Sequence, residues 1–128
     1  MTTVPEPVAA YFKAVNTQDW DALAAVFTAD AEIHPVGSRT RRGRDDVLAY
    51  YPTVLAGFAD HEDIVHRAHV AGEVVTAEIR FTGRTHEGAS VSFDAVDVFD
   101  LDGDRIRRIS LWYDTADVFR QVGEAPAS

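Results

Sequence analysis

Asp97 stands where a charge is costly. In the run from Val91 to Leu101 every second residue is Val91, Phe93, Ala95, Asp97, Phe99 and Leu101. Strand alternation therefore sets one carboxyl group on an otherwise apolar face. An unpartnered carboxylate buried there is expensive, so the group stays protonated or finds donors. A buried, protonated acid can donate a strong hydrogen bond to an oxygen that gains negative charge. The other reading is a structural aspartate satisfied by backbone amides. Tyr11 and Tyr51 lie on apolar helical stripes, and their hydroxyls need partners if the rings are buried. His34 precedes Pro35. A histidine can move a proton near neutral pH, and at a strand end it can equally be a polar loop residue.

Other chemistries lack their residues. The chain has no cysteine, which removes disulfides and thiolate nucleophiles. His66 and His69 are three apart on an expected strand, so they are expected on opposite faces and unable to chelate together. No metal is expected, and no glycine-rich phosphate loop or dinucleotide fingerprint points to a cofactor. Arg39, Arg41, Arg42 and Arg44 form a basic loop that could steer an anion, or be merely solvated. The net charge of −9 repels a phosphate backbone, so nucleic acid is not expected as a partner. No apolar run reaches membrane-spanning length and the N-terminus is not a signal peptide, so no membrane partner and a cytoplasmic location are expected.

The elements that must position these groups follow from periodicity. The 128 residues, 46% of them hydrophobic and 26% charged, read as one domain, 1–128. Val8, Tyr11, Phe12 and Val15 predict a first helix, broken at Asn16-Thr17-Gln18. Asp19 is the expected N-cap of a second, with Trp20, Leu23 and Phe27 on one face and Thr28-Ala29-Asp30 as its end. A short strand from Ala31 to His34 and a loop from Val36 to Gly43 follow. A third helix starts near Arg44, and Pro52 is expected to kink or end it. Strands are expected near 62–71, 73–83, 89–101 and 105–114, then a helix from Thr115 to Val122 stopped at Gly123. Helices followed by a meander predict an α+β fold, with three N-terminal helices packed on one face of a curved antiparallel sheet. The opposite face carries Val96, Val98 and Trp112, which suggests a homodimer surface.

Several segments resemble the steroid Δ-isomerase (ketosteroid isomerase) branch of the nuclear transport factor 2-like superfamily. They are Tyr11-Phe12-Lys13-Ala14-Val15-Asn16, Asp19-Trp20-Asp21, Phe27, Asp30-Ala31, Pro35-Val36-Gly37-Ser38, Arg42-Gly43, Tyr50-Tyr51 and Val96-Asp97-Val98-Phe99. The C-terminal Leu111-Trp112-Tyr113-Asp114-Thr115-Ala116 is more similar to the SnoaL-like polyketide cyclases of that superfamily. The resemblance implies a conical fold with a deep apolar pocket. It further implies an oxyanion hole from Tyr11 and Asp97, with Tyr51 supporting Tyr11. The place of that family's general base, an aspartate before the Pro-Val-Gly-Ser loop, holds His34, with one residue missing ahead of it. Asp114 matches the cyclases' acid only loosely, and as a helix cap it fits better.

These readings predict a cofactor-free acid/base enzyme on a small apolar carbonyl compound, by isomerase-like proton transfer or cyclisation. Tyr11, His34, Tyr51 and Asp97 are the catalytic candidates. Trp20, Val54, Phe58, Phe81, Phe99, Leu111 and Tyr113 are the expected pocket wall. The alternative is a non-catalytic ligand-binding or dimerisation module, in which Asp97 is locked to backbone. Epoxide hydrolysis ranks last, because it needs an inward pair of acids bridged by arginine.

Overall fold

The computed structural model describes residues 3–122. Four helices and six strands run in the order α1 (Glu6–Thr17), α2 (Trp20–Val26), β1 (Phe27–Pro35), β2 (Arg41–Arg42), α3 (Arg44–Leu55), β3 (Phe58–Ala71), β4 (Val74–Thr85), β5 (Ser90–Asp102), β6 (Arg105–Tyr113) and α4 (Thr115–Val122). The strands form one sheet in the order β2-β1-β6-β5-β4-β3. The meander β3 to β6 is antiparallel, as its short turns require. β1 joins β6 in parallel, which only a long crossover through the helices permits.

The helix ends have local causes. Gln18 adopts the left-handed conformation (φ 54°) that stops α1. The Asp19 carboxylate accepts from the Ala22 amide at 3.0 Å and starts α2. Phe27 is the first residue of β1, and Thr28-Ala29-Asp30 is already strand. α3 continues past Pro52 to Leu55. The proline removes one hydrogen bond of the ladder but lies in the last turn, where tertiary packing of Tyr50, Tyr51 and Leu55 outweighs the loss. The Asp114 side chain accepts from the Asp117 amide at 3.0 Å, so it caps α4. Gly123, the expected stop of α4, lies outside the described residues.

The core lies between α1, α2, α3 and the concave sheet face. Phe27, Ile33, Val75, Phe99, Ile106 and Ile109 meet no solvent there or almost none. Each such side chain contributes about 1.5–3 kcal/mol by leaving water. On β5, Val91, Phe93, Ala95, Asp97, Phe99 and Leu101 face inward, as the alternation predicts. A bulge on β3 between Val65 and Arg67 changes one expectation. It breaks the alternation, so His66 and His69 both reach the outer face rather than opposite faces. Among the described residues no group of acids and histidines is placed to hold a metal ion, and no helix is long and apolar enough to cross a membrane.

Candidate active site

The concave face closes around a cavity of about 110 Å³. One wall is aromatic: Phe81 stacks on Phe93 at 4.8 Å between ring centroids, and Phe93 meets Tyr113 at 5.4 Å, with Phe58 behind Phe81 at 5.1 Å and outside the lining. This ladder crosses β4, β5 and β6 because cross-strand neighbours share a face. Val54 and Leu55 of α3, and Leu111 of β6, add aliphatic lining.

Asp97 projects into this cavity from the middle of the sheet. Its neighbours across the strands are Ala77 and Leu111. The residue is 6% exposed. Burial, and after it the nearby Asp63 carboxyl, push its pKa well above the usual carboxylate range. The pocket therefore favours the neutral, protonated form of Asp97. No hydrogen bond from backbone or side chain holds that proton among the described residues, so it is free to meet a ligand.

Tyr11 of α1 and Tyr51 of α3 meet over the same cavity, their hydroxyls 3.0 Å apart. Burial raises both phenols well above their usual range, so both stay protonated. The pair has two protons and spends one on the mutual hydrogen bond, which leaves the other for a ligand. The rings are held edge-on by neighbours, Tyr11 against Phe12 at 5.0 Å and against Phe99 at 5.2 Å.

The structure sorts the expected site residues. Tyr11, Tyr51, Asp97, Val54, Phe81, Leu111 and Tyr113 line one cavity. His34 does not join them. On β1 the inward positions are Ile33, which is fully buried, and Pro35. Alternation turns His34 to the other face, where Nε2 lies 2.8 Å from Glu32 and Nδ1 lies 3.2 Å from the Thr40 hydroxyl. Trp20, Phe58 and Phe99 are also outside the lining. Trp20 packs half-buried against the core, Phe58 backs the ring of Phe81, and Phe99 is wholly enclosed behind Tyr11.

Sequence reasoning missed Asp63, Tyr50 and Phe93 as lining residues. Asp63 is the consequential one. It sits on β3 opposite Phe81, and burial followed by Glu62 raises its pKa to about 6. The available signal was its place two residues before Val65 on the same strand face. The basic loop proves to be largely self-neutralised. Arg39 binds Asp46 through two hydrogen bonds of 3.2 Å, Arg42 pairs with Glu32 at 3.0 Å, and Arg41 lies over the Tyr50 ring at 4.9 Å.

Comparison with known proteins agrees with this fold. A ketosteroid isomerase-like-fold protein of Catenulispora acidiphila, whose structure holds trimethylamine, superposes with a TM-score of 0.85 at 24% identity, over 94% of this chain and 95% of that one. An LEH-like epoxide hydrolase of M. tuberculosis gives 0.78 at 23% identity, over 94% and 90%. A protein assigned as a SnoaL-like polyketide cyclase, from Jannaschia sp. CCS1, gives 0.84 at 19% identity, over 95% and 96%. At these identities the likeness establishes the fold. No curated protein sequence matches the chain. The sequence pattern of the SnoaL-like domain matches residues 8–109, most of the helical layer and the sheet, and the chain belongs to the SnoaL-like domain family.

Proposed function

We propose that the protein is a cofactor-free acid/base enzyme acting on a small apolar carbonyl compound through an enolate. The observation that carries this reading is the Asp97 carboxyl, protonated, unbonded and facing the same cavity as the Tyr11–Tyr51 pair. A purely structural aspartate would have its oxygens tied to backbone. Asp97 and the free phenolic proton are two donors that gain strength as a carbonyl oxygen becomes negative, which favours the transition state over the ground state. Phe81, Leu111, Tyr113 and Val54 exclude water around them. His34 has no part in this reading, since its ring is bonded to Glu32 on the outer face.

The test is binding of 2-naphthol followed by absorbance, since its phenolate mimics an enolate oxygen. Wild type is expected to bind the ionised form, Tyr11→Phe more weakly, and Asp97→Asn most weakly. Equal binding by all three proteins sinks the reading.

A second reading, epoxide opening, gains support from two acids in one pocket, Asp63 and Asp97, and from the epoxide hydrolase among the structural relatives. It lacks an arginine in the lining to bridge the acids, so the enolate reading is preferred.

The outer sheet face supports pairing of two copies. Trp112 is 53% exposed and lies across from Val96, with Val98 further along β5. Sedimentation of Trp112→Arg as a smaller species than wild type is the expected result; equal species argue against the dimer.

A further inference from the structure

The enolate reading requires a base, and the place where the family resemblance puts one is occupied by a histidine that faces away. Asp63 lies elsewhere, on the opposite side of the sheet. Directly opposed residues of antiparallel strands share a face. Asp63 therefore points where Phe81 points, into the cavity that both line.

Its placement is built rather than incidental. β3 is an edge strand, and an edge leaves backbone groups without strand partners. At Asp63 both are taken by one side chain. The Asn16 amide donates to the Asp63 carbonyl at 3.0 Å, and the Asp63 N–H donates to the Asn16 oxygen at 2.8 Å. Asn16 belongs to α1, the helix that carries Tyr11. One helix thus fixes the hydroxyl pair and, through this clamp, the strand position of the carboxyl.

We propose that Asp63 is the catalytic base of this pocket, taking a proton from the carbon beside a substrate carbonyl whose oxygen is held by Asp97 and the tyrosine pair. The proposal rests on the enolate reading. In the step, the C–H bond breaks and its proton passes to an Asp63 oxygen. The bonding pair becomes the new carbon–carbon double bond, and the carbonyl pair moves onto oxygen. Returning the proton from Asp63 to the same or a conjugated carbon regenerates the carboxylate.

The surroundings fit a division of labour between the two acids. The groups facing Asp63 are Asp97 from β5, Tyr11 from α1, Tyr50 and Tyr51 from α3, and Tyr113 from β6, with Glu62 beside it on its own strand. None of these is a cation, and no ion pair holds Asp63 among the described residues. The environment keeps Asp97 neutral over a range in which Asp63, at about 6, ionises. Two titratable groups pushed apart in this way can act as acid and base at one pH.

The experiment follows deuterium uptake from D2O at the α-carbon of 2-indanone by proton NMR, with wild type, Asp63→Asn, Asp63→Glu and Asp97→Asn. The same four proteins are titrated with 2-naphthol. Wild type is expected to accelerate exchange, with a rate that rises through about pH 6 and levels off. Asp63→Asn is expected to lose about 10²–10⁴-fold of that rate while binding the naphtholate at least as tightly, because a like charge has gone. Asp63→Glu keeps a carboxylate and should keep the rise with pH. Exchange by Asp63→Asn at the wild-type rate overturns the assignment. So does a wild type that binds naphtholate but exchanges no faster than free solution. If no protein binds naphtholate and Asp97→Asn exchanges like wild type, the enolate reading itself fails, and Asp63 with it.

Discussion

The two faces of the sheet treat the same chemical group in opposite ways. On the outer face and at the rim, carboxylates have basic partners. Asp94 meets Arg80 at 2.9 Å, Asp60 meets Arg84 at 3.2 Å, Glu78 meets Arg67 at 3.3 Å, and Glu32 takes both His34 and Arg42. Inside the cone, Asp63 and Asp97 share a cavity with phenols and hydrocarbon and have no cation in its lining. Outside, neighbouring donors hold an acid ionised, as the hydrogen bond from His34 and the charge of Arg42 do in lowering Glu32. Inside, desolvation raises the pKa of each carboxyl. The cations that pair with acids lie on the surface, and none lines the pocket. Buried acids without partners reduce stability, and such sites mark where chemistry is done.

The contrast can be broken first at its strongest point. If Asp97 is the oxyanion donor proposed above, replacing it by Ala is expected to cost about 10²–10³ in turnover of any carbonyl substrate the wild type accepts. Unchanged turnover would place the chemistry elsewhere.

Stability against pH is the next test. Asp63 has a folded-state value of about 6, above its ordinary 3.8. A raised carboxyl contributes its full stability below the unfolded value and loses it as pH rises through the folded one. Relative to Asp63→Asn, wild type should thus lose about 2–3 kcal/mol between pH 4 and about 6, and little more above that. Urea unfolding of both proteins across this range measures it, and a constant difference would show that Asp63 is not desolvated.

On the outer face the effect should be small. Arg80→Ala removes the cation beside an exposed Asp94, and the expected loss is about 0.2–1 kcal/mol at low salt. The loss should shrink further when salt screens the pair. A larger, salt-independent cost would mean that the two faces differ less than the structure indicates.

What was legible in the sequence follows the same divide. Asp97 stands out because β5 alternates without interruption, so one acid falls among Phe93, Ala95, Phe99 and Leu101 on the inward face. Asp63 is hidden in Asp60-His61-Glu62-Asp63, a polar run that reads as solvated, on an edge strand whose bulges disrupt alternation. His34 shows how sharply register decides a role: one residue's shift along β1 puts Ile33 inside and the imidazole outside. Phe99 and Trp20 lie among the core and its neighbours, as their patterns predict. How deep a side chain sits in the cone depends on sheet curvature, which periodicity does not encode, so neither reaches the cavity. Pro52 is a case of packing overriding local preference.

The measurement that tests the central claim most directly is a pH titration of the aspartate carboxyl carbons by ¹³C NMR, with Asp97→Asn and Asp63→Asn used to assign the two signals. The account predicts that Asp63 titrates near pH 6 and that Asp97 is still protonated when Asp63 has ionised. If both carboxyls titrate in the ordinary aspartate range, near pH 4, Asp97 is a solvated carboxylate. The pocket then has no neutral acid to hold an enolate.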